Sequence, residues 1–382
     1  MFRFSQTSYP VGIDISDTSI KLFQLTKVGD KIKTQAINKI DLAPGIVDEA
    51  DIVKIDELVK AIKQLIATPK YGTITSREVV ACLPENKTFT KLIELEQTPN
   101  DLTEMVKIEM EKHIPLPIEE IYYDWQIIST QNTKQSILLG AAPRTIVDAY
   151  TNLFDSCGLS LSALELESTA ICRALIPEPK KGDKTNQQNT RYAILDIGAK
   201  RASLIFFAGQ TVLFSVSLPF SSDEVTHKIA ENLNISPEQA EKAKIICGLD
   251  ETKAHGIVKE ILAEAIIALI QKIKDTIAFY QSHFPKTGSI QQIYLCGGGS
   301  NIENLDKILE EKLGIKTSIA TPLAQITDRP EKINKALTET YQLKLGLKNS
   351  DSNQELIATK HSELIFTTAI GLALRNIILD EM

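Results

Sequence analysis

Two aspartates, each ending a short apolar run and followed by Ile and a small residue, are the chemically suggestive positions of this chain. The first lies in Val11-Gly12-Ile13-Asp14-Ile15-Ser16, the second in Ala193-Ile194-Leu195-Asp196-Ile197-Gly198. A second strand-like run follows each, Ile20 to Leu25 and Ala202 to Phe207. The two aspartates are close to half a chain apart, so the pattern reads as an internal duplication with two related halves facing a cleft. A turn between strands exposes backbone N–H groups that can cradle phosphate. A carboxylate beside such a turn can hold Mg²⁺ through water. Asp14 and Asp196 are therefore the candidate metal positions, against the plainer alternative of strand-end turn formers. Ser16, Thr18 and Ser19 add hydroxyls and donors at the first turn, and Gly198 and Ala199 form the second.

A third element follows late in the chain. Ile293-Tyr294-Leu295-Cys296 runs into Gly297-Gly298-Gly299-Ser300, then a helical pattern through Ile302, Leu305, Leu309 and Leu313. Strand, glycine turn and helix N-terminus let backbone approach a flat or anionic ligand closely. Each signal alone is weak; the three in this order are specific.

In these motifs the chain resembles the actin-like superfamily of ATP-binding proteins, and more closely its PilM-like pilus assembly branch. The residues that carry the closer likeness are Gly12-Ile13-Asp14-Ile15-Ser16 with Ile20-Lys21-Leu22, Leu139-Gly140-Ala141-Ala142-Pro143-Arg144, Cys157-Gly158-Leu159, Glu165-Leu166-Glu167-Ser168 and Ala369-Ile370-Gly371-Leu372-Ala373-Leu374-Arg375. The resemblance implies an α/β two-domain actin-like (ribonuclease H-like) fold with a small inserted α+β subdomain. It implies ATP and Mg²⁺ as ligands, with Lys21 as the first-motif lysine, aimed at phosphate or at solvent, and Gly297 to Ser300 beside the adenosine. Glu241 and Lys244 follow a Ser236-Pro237 helix start and match the family's nucleoside-binding helix. Their i, i+3 spacing alone would equally give an exposed ion pair.

The departures from the family pattern bear on chemistry. Ser16 replaces a glycine, which restricts φ. Asp17 adds a carboxylate beside the expected γ-phosphate, where repulsion weakens binding unless Mg²⁺ offsets it. Lys200 and Arg201 stand where a small residue and Thr are usual, and can compensate by binding phosphate. Pro219-Phe220-Ser221-Ser222 replaces a glycine pair. The expectation is an ATP-binding protein that is at most a very slow ATPase.

By the resemblance, the function is a cytoplasmic scaffold of type IV pilus assembly or a related secretion machine. Its partner would be the cytoplasmic N-terminal peptide of a bitopic, PilN-like inner-membrane protein, with self-association left open. The rivals are a membrane-tethering filament protein like FtsA, and a small-molecule kinase on the same fold. An FtsA-like tether needs a basic amphipathic C-terminal helix, and the chain ends Leu379-Asp380-Glu381-Met382.

Composition narrows the classes. A net charge of −7 argues against nucleic acid and against simple attraction to anionic lipid. Five scattered cysteines without a CxxC suit a reducing compartment. The five histidines show no ligand spacing, so no metal beyond Mg²⁺ is expected. The start lacks an apolar signal region, and Ile365 to Leu379 is too interrupted for a span of about 20 residues. The chain is therefore expected to be cytoplasmic, not inserted in the membrane, and peripheral to the inner membrane only through a protein.

The elements that must position the motifs divide as follows. Residues 1–86 and 143–180 form the first actin-like domain, and 87–142 an inserted SHS2-like subdomain. Residues 181–235 and 288–382 form the second domain core, and 236–287 a helical subdomain. Strands are expected at 11–15, 20–25, 32–40, 78–83, 121–128, 136–142, 192–197, 202–208 and 211–218. Ile55 to Ile66 reads as a helix. Asp101 is a candidate cap for a helix whose inner face is Leu102, Met105, Ile108, Met110 and Ile114. Helices follow over 223–233, 237–247 and 253–283. Residues 177–191 read as a linker, 321–360 as a polar surface excursion, and 362–379 as the final helix.

Overall fold

A meander of β1 (Val11–Ile15), β2 (Ser19–Val28) and β3 (Lys31–Asp41) begins the folded chain. The structure is a computed structural model that describes residues 9–96, 102–131, 134–177, 190–327, 331–344 and 361–379. A two-residue turn joins β4 (Val47–Asp48) to β5 (Asp51–Ile52), and helix α1 (Ile55–Ala67) follows. Its Leu58, Ile62 and Leu65 recur at the helical period and are buried against the sheet. After the short β6 (Tyr71–Gly72), strand β7 (Glu78–Leu83) lies parallel to β1.

Residues 89–143 build a separate three-stranded sheet. It contains β8 (Phe89–Glu96), β9 (Ile121–Gln131) and β10 (Lys134–Pro143), in the order β8-β10-β9. β9 is thus an edge strand. Helix α2 (Leu102–His113) covers the sheet with Val106 and Met110, and Ile114 follows them into the same core. Ile108, expected on the inner face, is 49% exposed: Val106 takes the core position and turns Ile108 outward. Asp101 lies outside the described residues.

The chain then returns to the first sheet. Helix α3 (Arg144–Ser156) leads into β11 (Ser160–Leu166), and helix α4 (Glu167–Leu175) leaves its far end. The six strands run in the order β11-β7-β1-β2-β3-β6.

The second half repeats the plan. β12 (Arg191–Ile197), β13 (Ala202–Ala208) and β14 (Thr211–Leu218) form the meander. β15 (Gln292–Cys296) lies parallel to β12, with β16 (Lys316–Ile319) beyond it. Between them come α5 (Ser222–Leu233), α6 (Pro237–Ile246) and the long α7 (Ile257–His283). Ser236 caps α6 in a reciprocal capping box with Gln239, as Ser-Pro predicts. α8 (Leu305–Leu313) follows the glycine turn.

The region read as an excursion is only partly one. Residues 331–344 form helix α9 (Glu331–Lys344); its Ile333 and Leu337 are buried in a core shared with Phe23, Leu25 and Ile37 of the first sheet, and Ala336 is buried as well. The three apolar positions keep helical spacing, but charged and amide residues around them hide it. Residues 345–360 lie outside the described set.

The final helix, α10 (Thr367–Leu379), closes the first half from the opposite end of the chain. Two glycines permit its approach. A Cβ on Gly12 would lie 2.4 Å from the Ala369 carbonyl oxygen, and a Cβ on Gly371 would lie 1.8 Å from that of Ala170 in α4. Among the described residues no helix is long and apolar enough to cross a membrane.

Gly→Ala usually stabilises an exposed helix by up to about 1 kcal/mol. At position 371 the sign should reverse, with Gly371→Ala costing about 1–3 kcal/mol through overpacking against α4. A denaturant midpoint equal to or above that of the native chain would contradict this seat.

Candidate functional site

The ends of β1 and β12 open onto one cavity between the halves. It is lined by both strand-end aspartates, both turns and the first part of the glycine turn. Of the predicted positions, Asp14, Ser16, Asp17, Thr18, Ser19, Lys21, Asp196, Gly198, Ala199, Lys200, Gly297 and Gly298 all line it.

Sheet register explains the first half's charges. Asp14 lies opposite Lys21 on β2, and Lys21 lies opposite Lys39 on β3. Lys21 Nζ donates to Asp14 Oδ2 at 2.8 Å, and Lys39 pairs with Asp41. Burial alone would lower the Lys21 ammonium's pKa. The charge and hydrogen bond of Asp14, aided by Glu167 and Asp196, outweigh it and hold the pKa above its usual value.

The second half keeps the acid and not its lysine. The residue opposite Asp196 is Ser203. Burial pushes the Asp196 carboxyl up to about 6, although a hydrogen bond from the Cys296 thiol at 3.3 Å pulls the other way. Gly297, at φ +77°, is required here: a Cβ would sit 2.5 Å from Asp196 Oδ1.

The first turn does not need its missing glycine. Ser16 closes the first turn by donating its backbone N–H and its hydroxyl to the Ser19 carbonyl, each at 2.9 Å. None of Ser16, Asp17 and Thr18 has a positive φ. In the second turn Gly198 N–H donates to the Arg201 carbonyl at 2.8 Å. Ser221 caps α5, accepting from the Glu224 N–H and donating to the Ala199 carbonyl. Asp17 and Arg201 form an ion pair at 3.0 Å across the cleft. Lys200 stays about half exposed, 3.9 Å from Asp223.

Four predicted residues do not line the cavity. Lys244 and Glu241 are buried behind it, paired at 2.5 Å. The Lys244 ammonium also donates to the Ser222 hydroxyl and the Thr226 hydroxyl, each at 2.7 Å. The i, i+3 pair is thus neither exposed nor on the cavity wall, because α5 covers it with oxygens. Gly299 packs on Ile197, whose Cγ2 a Cβ would meet at 2.2 Å, and Ser300 donates to the Cys296 carbonyl at 2.5 Å.

Sequence reasoning missed Glu85, Glu167 and Lys39, which also line the cavity. Burial raises the Glu85 carboxyl. It raises Glu167 well above the usual carboxylate range, and the charges of Asp196 and Asp14 add to it. Glu167 had a signal. It is the first residue after β11, and ligands gather beyond the carboxyl ends of parallel strands.

Among the described residues no three His, Cys, Asp or Glu side chains converge as direct metal ligands. The donor chemistry suits a hydrated cation instead. Asp14, Asp17, Asp41, Glu85, Glu167, Asp196 and Asp223 line the cavity against Lys21, Lys39, Lys200 and Arg201.

A second, more apolar groove lies where the edge strand β9 meets β11, α4 and α10. Tyr122 lines it together with Leu83, Leu164 and Leu166, whereas Tyr123 and Trp125, on the other face of β9, pack against the core under α2. Arg144 stacks over the Tyr122 ring at 4.2 Å. Arg173 and Arg375 both hold Glu165 at 2.7 Å. The two depressions share segments: Leu83 and Leu166 line the groove, Glu85 and Glu167 the cavity.

Two duplicated meanders, each with a parallel strand beside it, closing on a cavity walled by two acid-bearing turns, define the actin-like fold. The chain belongs to the type IV pilus assembly protein PilM family, whose sequence profile matches residues 12–348. It is similar in structure to the PilM–PilN type IV pilus biogenesis complex, with a TM-score of 0.74 and 22% identity over 97% of this chain and 98% of that one. It is also similar to the ethanolamine utilization protein EutJ of Carboxydothermus hydrogenoformans, with a TM-score of 0.52 and 13% identity over 96% of this chain and 89% of that one. The cell division protein FtsA of Buchnera aphidicola (subsp. Baizongia pistaciae) is 24% identical over 91% of this chain and 92% of its own length.

The Asp196 shift has a direction in pH. The unfolded carboxyl titrates near about 3.9, whereas the folded one takes up its proton near 6. The folded state therefore holds the extra proton between those values, and stability falls as pH rises from about 4 to 6. Asp196→Asn should be more stable than the native chain at pH 7, with the gap closing towards pH 4. Denaturation midpoints measured across that range test it, and a pH-independent gap would refute it.

Proposed function

We propose that this chain is an ATP-binding scaffold of the type IV pilus assembly machinery, gripping nucleotide between its halves and a membrane partner's tail on its first half. The observation that carries the nucleotide reading is the convergence of both phosphate-type turns, both strand-end aspartates and Gly297-Gly298 on one cavity. Triphosphate would lie between the turns, with Lys21 as its cation from the first half. Mg²⁺, held through water by Asp14 and Asp196, would neutralise phosphate charge and relieve the crowded carboxylates. Lys21 orients Asp14 by its 2.8 Å bond, and Gly297 leaves room for the Asp196 carboxylate.

Glu241 and Lys244 would reach ribose only if α5 shifted, because Ser222 and Thr226 now hold them. Their role would then be to fix the α5–α6 junction in the nucleotide-free state. Asp17 is already paired with Arg201, so a phosphate must compete for the guanidinium. ATP is accordingly a structural ligand, turned over well below one per minute, against usual enzyme rates of about 1–10³ per second.

The partner is a short extended peptide from a bitopic, PilN-like inner-membrane protein. The groove between β9 and β11 suits it: an open strand edge offers backbone hydrogen bonds, and Tyr122, Leu164 and Leu166 offer apolar contacts. Location follows from this: cytoplasmic, and peripheral to the inner membrane through that partner. Helix α10 buries Ile370, Leu374, Ile377 and Ile378 in the core, so those residues are not available to lipid.

Mg²⁺-ATP should raise the melting temperature by mass action, and Asp196→Ala should abolish that shift. If calorimetry and thermal shift both show no binding at about 1 mM Mg²⁺-ATP, about a thousandfold above a micromolar Kd, the nucleotide reading is wrong. Phosphoryl transfer to a metabolite would move the assignment to the kinase rival. For the partner, Tyr122→Ala should weaken binding of the tail peptide at least about tenfold, as removal of an interface aromatic anchor does. Deleting residues 87–142, which we take as a separately folding insertion, should abolish membrane recruitment and leave the remainder folded. Binding of the purified chain to protein-free liposomes would count against the scaffold reading.

A further inference from the structure

The two residues that depart most sharply from the family pattern in the phosphate turns are partners of each other. Asp17 belongs to the first turn and Arg201 to the second, and their ion pair at 3.0 Å crosses the cleft. The carboxylate is set firmly from its own side. Its side chain is 9% exposed, and Oδ1 accepts the Ala50 N–H at 2.8 Å. Ala50 lies in the two-residue turn between β4 and β5, where Glu49 and Ala50 both have left-handed φ, +46° and +69°. Such a turn is unfavourable without glycine, so the Asp17 acceptor steadies it. The guanidinium arrives from the other half and is 33% exposed. One end of the pair is anchored and the other is free to change partner.

Resting on the nucleotide reading above, we propose that Asp17 is a built-in substitute for the terminal phosphate of the nucleotide. It offers Arg201 an anion between the two turns and so clasps the halves when the cavity holds no triphosphate. A γ-phosphate entering there takes Arg201 from Asp17, and Asp17 then faces the phosphate as a like charge. A diphosphate reaches less far and leaves the clasp closed. The pair therefore lowers the preference for ATP over ADP, and it keeps the cleft closed in either state. Nucleotide then changes which group bridges the halves more than how far apart they stand.

Two variants and two readouts test this. Asp17→Asn keeps an oxygen for Ala50 and removes the charge; Arg201→Gln removes the guanidinium. Titration calorimetry would give Mg²⁺-ATP and Mg²⁺-ADP affinities for each. Spin labels at Lys60→Cys and Gln271→Cys, exposed on α1 and α7, would give the distance between the halves without nucleotide. Both variants should broaden that distance. Asp17→Asn should raise the ATP/ADP affinity ratio about fivefold, the worth of a part-exposed ion pair. Arg201→Gln should lower the ratio, because Asp17 then repels the phosphate with no partner. Unchanged distances, or a ratio that moves the same way in both variants, would overturn the proposal. Should the native chain bind neither nucleotide, the nucleotide reading fails alone: a broadened distance still supports the clasp, and an unchanged one removes it.

Discussion

Crowded like charge in one cleft is the constraint around which the molecule is arranged. Each half runs a strand directly at the cavity and ends it in an aspartate, so two carboxylates must leave bulk water close together. Only Asp14 has a lysine opposite it in the sheet. Asp196 lies opposite Ser203 instead, and Glu167 adds a further buried acid. The structure relieves the field with Lys21, with protons held on Asp196 and Glu167 above their ordinary pKa, and with cations from the second turn. A cavity so arranged attracts a divalent cation, and through it an anionic ligand. Those same groups would repel that anion if it came without the metal.

The duplication made much of this legible. Val11–Ile15 and Arg191–Ile197 are apolar runs of strand length ended by turn residues, and register follows once the meander is recognised. The direction of Lys21 was not legible, because it is settled by the register that sets it opposite Asp14, a register whose counterpart in the second half places Ser203 opposite Asp196. Glu85 was not legible. It reaches the cavity from the hinge where β7 gives way to β8, and Ser215 of the distant β14 bonds it. Such a meeting depends on how the halves dock, which local pattern does not carry. Helix α9 was missed for the opposite reason: its apolar stripe is present but narrow, and polar neighbours outvoted it. Ile108 shows that a helix face cannot be fixed to better than one residue when Val106 and Ile108 compete for the same core.

Glu241 and Lys244 show how one motif supports two architectures. A carboxylate and an ammonium one turn apart can bracket a ligand, or they can satisfy each other beneath a neighbouring helix. Which occurs depends on Ser222 and Thr226, fifteen to twenty-two positions away in sequence, which supply the competing oxygens. Similarly, the segment Leu83 to Glu85 and the segment Leu166 to Glu167 each present one residue to the groove and the next to the cavity. A shift in either segment moves both walls, so the two depressions cannot be reshaped independently.

The seat of α10 against β1 and α4 ties the timing of folding to the length of the chain. Gly12 leaves the ribosome long before the helix that covers it, which carries Gly371. At about 5–20 residues per second, synthesis of the intervening chain takes roughly 20–70 seconds. For that interval the apolar face of the nascent first sheet has no native cover, while the second half can complete its own meander. A trigger-type chaperone, or early docking of a partner on the exposed strands, would have its greatest effect in this window. A premature stop just before α10 would leave β1 without the helix that covers it.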